Sequence, residues 1–153
     1  MNYFTRPVEI KDAAFLLRLK NDVTTRKYSI ASKAKIKKKD HLNWLSHTLQ
    51  NPSVIYFLIL ISETAKPCGT VRFDLVNGKA EIAIHITKQH RGKGIATQII
   101  KTLGGMIASH HNRNLTAKIV DGNMRSMMVF LKNGFTLKEH SAGISYLEKS
   151  LND

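Results

Sequence analysis

Residues Gln89-His90-Arg91-Gly92-Lys93-Gly94-Ile95-Ala96 form a run whose types and spacing point to a chemistry. The run follows an apolar strand pattern and opens a helical one. Backbone N–H groups at the start of a helix lack intrahelical acceptors and converge on an anion, helped by the helix dipole. Gly92 and Gly94 carry no Cβ to hold a phosphate oxygen away. Spacing excludes two common phosphate loops. A Walker A loop needs Gly-Lys followed by Ser or Thr, and here Gly94 follows Lys93. A dinucleotide fingerprint needs a glycine three residues after the second one, where Thr97 stands. The run therefore reads as a pyrophosphate loop of another kind. No other cluster competes with it: seven His and one Cys show no metal-ligand spacing, His110 and His111 are only sequence neighbours near a helix end, and no Ser-His-Asp or Cys-His set can be assembled.

The elements that must position this loop follow from periodicity and turn chemistry. Phe4 to Glu9 reads as a first strand. Asp12 is the expected N-cap of a helix to about Asn21, with Phe15, Leu16, Leu17 and Leu19 on its apolar side. From Asn21 to Lys39 there is no sustained period, only a short helix and loop. Asp40 is the expected N-cap of the next helix, marked by Leu42, Leu45 and Leu49 and ended at Asn51-Pro52. Val54–Ile61 and Cys68–Val76 are strands. Asn77-Gly78 is a strong hairpin signal, and Ala80–Ile86 completes the hairpin, with Ile82, Ile84 and Ile86 on one face and Glu81, Ala83 and His85 on the other. A helix is expected from Gly94 to His111, a strand over Leu115–Val120, a helix capped by Asn123 and ended at Asn133-Gly134, and two strands over Phe135–Glu139 and Ile144–Glu148. The order is mixed α/β in a single domain.

The bulk properties agree. At 153 residues there is room for one core. The single Cys68 cannot form an internal disulfide, no apolar run approaches a membrane span, and the N-terminus lacks the apolar region of a signal peptide, so a cytoplasmic protein is expected. The formal net charge is +13, with a run at Lys33, Lys35, Lys37, Lys38 and Lys39. Such a field gathers anionic partners without naming them, and as a bare charge run it equally describes a solvated loop.

The loop, read with its neighbours, resembles the GNAT superfamily of acetyl-coenzyme A-dependent N-acetyltransferases. Gln89-x-x-Gly92-x-Gly94 is similar to that family's pyrophosphate loop, Ala80-Glu81-Ile82 falls on its central strand, Asn123-x-x-Ser126 opens its later helix, and Lys132-Asn133-Gly134-Phe135 closes it. The resemblance covers about Cys68 to Phe135. It implies a mostly antiparallel sheet of about seven strands flanked by helices, with the two central parallel strands, Ala80–Ile86 and Leu115–Val120, splayed apart. It implies acetyl-coenzyme A as co-substrate and no metal, held by Ile84, His85 and Ile86, by Gln89, Arg91, Gly92, Lys93, Gly94, Ile95, Ala96 and Thr97, and by Asn123, Ser126, Phe130 and Lys132. The N–H of Ile84 or Ile86 becomes the expected oxyanion donor. Glu81 stands where some members carry a catalytic glutamate, and His85, on the same side of the strand, is placed to relay a proton at neutral pH. The family's Tyr, seven residues after the helix-opening Asn, is Phe130 here, which leaves the acid at the departing sulfur unassigned.

The acceptor is read from the N-terminal half. Asn21-Asp22-x-x-x-Arg26-x-x-Ser29, Asp40-His41-x-x-Trp44 and Gly69-Thr70-Val71-Arg72-Phe73-Asp74 resemble members that acetylate nucleotide-linked amino sugars, above all the 4-amino group of a UDP-linked 4-amino-4,6-dideoxy sugar in the pseudaminic acid pathway. On that resemblance Arg26, Arg72 or the lysine run pairs with the diphosphate, and Asp22 or Asp74 holds sugar hydroxyls or the ammonium. Asn21, His41 and Trp44 complete the expected substrate set, with His41 and Trp44 read equally as core residues and Asp22–Arg26 equally as a surface helix pair. Two other readings stay open: a protein N-terminal acetyltransferase of the ribosomal-protein-modifying kind, and a noncatalytic acetyl-coenzyme A sensor. A nucleic-acid binder rests on charge alone, without a stacking platform or recognition helix. A monomer or a homodimer joined at a final strand edge is expected.

Overall fold

A computed structural model describes residues 2–31 and 33–152. Strands β1 (Tyr3–Pro7), β2 (Val54–Ile61), β3 (Pro67–Val76), β4 (Lys79–Ile86), β5 (Leu115–Val120), β6 (Thr136–Ser141) and β7 (Ile144–Lys149) form one sheet in the order β1-β2-β3-β4-β5-β7-β6. Every pairing is antiparallel except β4 with β5. The parallel pair is short. Its ladder consists of two pairs, Ala80–Leu115 and Glu81–Thr116, and the remainder of the two strands diverges, as the family resemblance implied.

Alternation along the strands gives the sheet two unlike faces. Ile82, Phe73, Val71, Ala117, Ile119 and Leu147 point to one side and form the main core with Ile95, Ile99, Ile100, Ile107, Phe130 and Phe135. These last residues come from α4 (Ile95–Ile99), a π-helical turn (Ile100–Gly104), α5 (Gly105–His111), α6 (Met124–Lys132) and the start of the chain's return to β6. On the opposite face a smaller core of Val8, Ala13, Leu16, Leu45, Leu58 and Leu60 holds α1 (Ala13–Asn21) and α3 (Lys38–Gln50) against β1 and β2. A short α2 (Val23–Lys27) follows α1. On this second face α1 packs on β3 and α3 on β2, and the polar residues of β3, β4 and β5 that they leave uncovered border a cleft.

Several expectations shift at the edges. The helix expected from Gly94 to His111 contains the π turn; Gly104 there lies where a Cβ would come 3.4 Å from Leu115 Cδ1, so the small residue lets the helix press on β5. Asp40 is not an N-cap: α3 starts at Lys38, and Asp40 sits in its first turn, where the dipole favours an acid equally. Asp12 caps nothing through its own side chain at α1; it closes a capping box led by Glu9 on the 3-10 turn Ile10–Asp12. Asn77 and Gly78 both take positive φ, as the expected hairpin turn requires. The edge strand β6 is exposed along its length, and Lys138, Glu139 and His140 blunt it. Among the described residues no helix is long and apolar enough to cross a membrane.

Candidate acetyl-transfer site

The loop after β4 is built as its glycines suggested. Gly92 and Gly94 have φ of +75° and +80°, and no atom lies within 4 Å of where either Cβ would stand. Both positions thus combine a backbone that L residues resist with open space beside it, and Gly94 leads directly into α4. The N–H groups of Ile95, Ala96 and Thr97 at that end suit a pyrophosphate. Arg91 is not turned outward to share the task. Its Nε donates to Ile86 O at 2.9 Å and a terminal nitrogen donates to Asp22 Oδ2 at 2.9 Å, tying the loop to the N-terminal helices. Gln89 lies on an exposed 3-10 turn and, with Phe15, Arg18 and Lys88, borders a groove of about 370 Å³ between α1 and the strand ends.

The diverging strands supply donors beside this loop. Ala80 N donates toward β5, to Asn114 O, whereas Thr87 N donates toward β3, to Cys68 O. Alternation then directs the N–H groups of Ile82, Ile84 and Ile86 into the gap between β4 and β5, past the last ladder pair. Asn123 caps α6 by accepting from Ser126 N at 3.3 Å. Phe130 does not line the gap as expected. It is 3% exposed and packs edge-on against Phe135 with centroids 5.0 Å apart, so a ring without a hydroxyl has been drawn into the core. Lys132 is exposed near the end of α6.

On the cleft face the cross-strand register sets out a row of chemistry. Asp74 stands opposite Glu81 and Glu81 opposite Thr116, while Tyr56 faces Arg72 and Thr70 faces His85. Glu81 reaches across the gap to Lys118 Nζ at 3.1 Å. His85 shares the face of Glu81, as alternation required. Its ring is reached by water, yet the protein crowded around it, with the cations Lys20 and Arg91, pulls its pKa to about 4. At neutral pH it is therefore a neutral imidazole and not a group that titrates there.

The acceptor residues read from sequence divide into two groups. Trp44, Arg72 and Asp74 face the cleft: the Arg72 guanidinium is held by Asp74 through bonds of 2.9 and 3.0 Å, and its carbon lies 5.5 Å from the Trp44 ring centroid. Arg26 is half-buried with its Nε unpartnered. The others are occupied inside the fold. Asn21 exchanges two hydrogen bonds with the backbone of Ile36, at 2.8 and 3.0 Å, and so pins the lysine-rich loop instead of facing a ligand. Asp22 Oδ2 caps α2 at Thr25 N and takes the Arg91 pair; it makes no pair with Arg26. His41 is 1% exposed and stacks under Trp44, centroids 5.6 Å apart. Burial, and then Lys20, lower its pKa; the Ala13 backbone weakly opposes this, although neither ring nitrogen completes a hydrogen bond.

Two cleft residues were missed. Tyr56 closes the aromatic wall against Trp44, and burial raises its hydroxyl to about 12. Lys20 lies with Nζ 2.9 Å from the Trp44 centroid, its pKa drawn down to about 7 by burial and by Arg72. Its sequence signal was available: a lysine one turn after Leu16, on the helix's apolar side. Among the described residues no group of three His, Cys, Asp or Glu side chains gathers to hold a metal. His110 and His111 do touch, edge to face at 4.8 Å, but only each other.

Comparison with known proteins agrees with this geometry. The model of a family described as an acetyltransferase (GNAT) domain matches residues 4–136. An uncharacterized N-acetyltransferase p20 from Bacillus licheniformis is 27% identical over 129 residues, covering 80% of this chain and 72% of the relative. A domain from Methanocaldococcus jannaschii superposes with a TM-score of 0.86 at 20% identity, covering 97% of each chain. The spermidine N-acetyltransferase of Vibrio cholerae, solved with CoA and spermine, gives 0.83 at 16% identity, covering 95% of this chain and 92% of that one. The family model spans most of the chain, and the protein belongs to the GNAT acetyltransferase family as an acetyl-CoA-dependent N-acetyltransferase.

Proposed function

We propose that the protein acetylates a primary amine carried on an anionic small molecule, with the 4-amino group of a UDP-linked 4-amino-4,6-dideoxy sugar as the leading candidate. The observation that carries this reading is the charge of the cleft. Arg72 and Lys20 border it, and its one nearby carboxylate beyond Glu81, that of Asp74, is already paired with Arg72. Spermidine and the aminoglycosides, named for structural neighbours, are polycations and would meet like charge here. A diphosphate would meet attraction.

The residues divide the work as follows. Gly92, Gly94 and the first N–H groups of α4 fit the pyrophosphate of acetyl-CoA, which supplies the activated acetyl group when bound. The N–H groups of Ile84 and Ile86 donate toward the gap, where negative charge develops on the carbonyl oxygen. Glu81 accepts a proton from the acceptor ammonium, directly or through water, and Lys118 holds its carboxylate from the β5 side. Neutral His85 accepts the second proton, which the attacking nitrogen loses as it becomes the amide, at one ring nitrogen and gives one up at the other to water. Sulfur leaves as thiolate; a thiol with a pKa near 8.5 tolerates this without a donor at position 130.

The test is thiol release from acetyl-CoA with a UDP-4-amino-4,6-dideoxy sugar and, in parallel, a peptide starting with alanine. Turnover of the sugar is expected, together with a loss of about 10²–10⁴ in kcat for Glu81→Gln. Turnover of the peptide alone would replace the sugar reading with N-terminal acetylation. Binding of acetyl-CoA with no turnover of either would overturn the acceptor assignment and favour a sensor.

A further inference from the structure

Lys20 has no part in the transfer chemistry, yet it occupies the centre of the cleft wall. α1 places it beside Leu19 and one turn from Leu16, both core residues, where the helical pattern calls for an apolar side chain. Its ammonium lies 2.9 Å from the Trp44 centroid, and the Arg72 guanidinium carbon lies 5.5 Å from the same centroid and 5.8 Å from that of Tyr56. Two cations over one indole repel each other. Arg72 is offset by Asp74. Among the described residues Lys20 has no ion pair or hydrogen bond of its own. The groups facing it are His41 and Trp44 of α3, Arg72 of β3 and His85 of β4, while Tyr56 of β2 and Asp74 of β3 stand against Arg72. A repelling pair set on an aromatic wall, with Asp74 already held by Arg72, favours an anion between the two cations.

We infer that Lys20 and Arg72, braced on Trp44 and Tyr56, form a binding site for an oxyanion of the acceptor molecule, a phosphate or a carboxylate group. The site makes Lys20 a specificity-determining residue. The inference rests on this cleft being the acceptor side of an acetyltransferase, not on the acceptor being a nucleotide sugar.

A proton consequence follows. Burial, and then Arg72, bring the Lys20 ammonium to about 7, so at neutral pH it is partly deprotonated. An anion between the two cations reverses the field on Lys20 and restores its proton. Binding takes up a proton and weakens as pH rises. Between pH 6.5 and 8.5 the protonated fraction of a group titrating at about 7 falls about 20-fold, and anion affinity falls with it.

Trp44 is the only tryptophan in the chain, so its fluorescence reads this site. The protein saturated with CoA, which fills the glycine loop, is titrated at fixed ionic strength with sulfate and separately with malonate, whose charges hold across that pH window. The expected result is a saturable Trp44 response about 20-fold weaker at pH 8.5 than at pH 6.5. Lys20→Arg should bind with that pH dependence flattened, and Lys20→Met should lose the response while binding CoA like the wild type. A response to sulfate alone supports a phosphoryl group, and to malonate alone a carboxylate. No saturable response to either anion, or an unchanged titration in Lys20→Met, overturns the site. If the amino sugar is not acetylated while sulfate binding still depends on Lys20, the sugar assignment falls and the anion site stands.

Discussion

Replacing Gly69 with alanine tests whether the close approach of β3 to β4 holds the acetyl-donor side of the site in place. A Cβ at position 69 would lie 2.5 Å from the His85 carbonyl oxygen, 2.9 Å from Ile86 Cδ1 and 3.3 Å from Ile86 Cα. The Ile86 methyl is the end of a flexible side chain and can swing away. The carbonyl oxygen belongs to the backbone of a strand paired through Gly69–Ile86 and Thr70–His85, so relief requires β4 itself to move. Carbon–oxygen contacts between strands run from about 3.3 Å upward, which sets the displacement at about 0.8 Å. Overpacking of this kind costs about 1–3 kcal/mol, or about 2–4 °C of melting temperature per kcal/mol for a chain of this length. The segment that moves carries the N–H groups of Ile84 and Ile86, and a misplacement near 1 Å costs about 10²-fold in rate. Thermal unfolding, CoA affinity and steady-state kinetics should therefore all worsen together. Leu45→Ala is the control. Leu45 is fully buried in the second core, so its loss costs about 2–5 kcal/mol, yet the rest of that cluster comes from α1, β2 and Val8, separate from the core that holds β4, and CoA affinity should hold. A Gly69→Ala protein that binds CoA like the wild type, or a Leu45→Ala protein that loses CoA equally, would refute the reasoning.

Gly94→Ala meets no atom, so its cost is the left-handed backbone alone, about 1–2 kcal/mol; equilibrium dialysis should show CoA affinity reduced at least about tenfold, an effect of that size on the loop, in a protein that remains folded. Asn21→Ala removes both bonds to Ile36, each worth about 0.5–1.5 kcal/mol; amide exchange at Ile36 should speed up by about tenfold or more while exchange in β3 and β4 stays unchanged. Asp12 is held below the usual carboxylate range first by Arg6, at 2.8 Å to each oxygen, with the Glu9 N–H also favouring the charged form and burial opposing. Its stabilisation is present above the unfolded value near 3.9 and is lost as pH falls through the lower folded value. Urea midpoints measured from pH 5.5 downward should thus fall less steeply in Asp12→Asn than in the wild type.

What could be read from the sequence was what neighbouring residues decide. Val54–Ile61 and Leu115–Val120 are strands to the residue because β-branched runs stop at turn formers, and α6 starts after Asn123 because its amide caps the helix locally. The glycine loop was legible for the same reason, since two positive-φ glycines ahead of a helix are a short-range signal. The misassigned polar residues failed through long-range partners. Nothing near Asn21 reveals Ile36, 15 residues away, and nothing near Asp22 reveals Arg91, 69 residues away. Polar side chains in the acceptor region looked available because the backbone and loop groups that satisfy them arrive only with the fold. Lys20 and Tyr56 were overlooked for the converse reason: each sits in an apolar pattern that reads as core, and only sheet register brings them to one wall with Arg72.

That wall bears on the missing tyrosine. On the proposed route a proton leaves the acceptor ammonium, and negative charge then appears at sulfur across the gap between β4 and β5. Burial first, and then Lys20 and Arg91, keep His85 neutral, which removes it as a proton store and leaves Glu81 as the carboxylate on β4 able to hold one. When Glu81 takes the proton it loses the charge that engages Lys118, 3.1 Å away. The lysine then stands beside the gap as an unpaired cation at the step in which the thiolate forms. Proton abstraction on one strand thereby supplies electrostatic stabilisation from the other, of the kind that a preorganised charge provides without delivering a proton. A ring without a hydroxyl at position 130 is compatible with such a site because the departing sulfur is met by charge from β5.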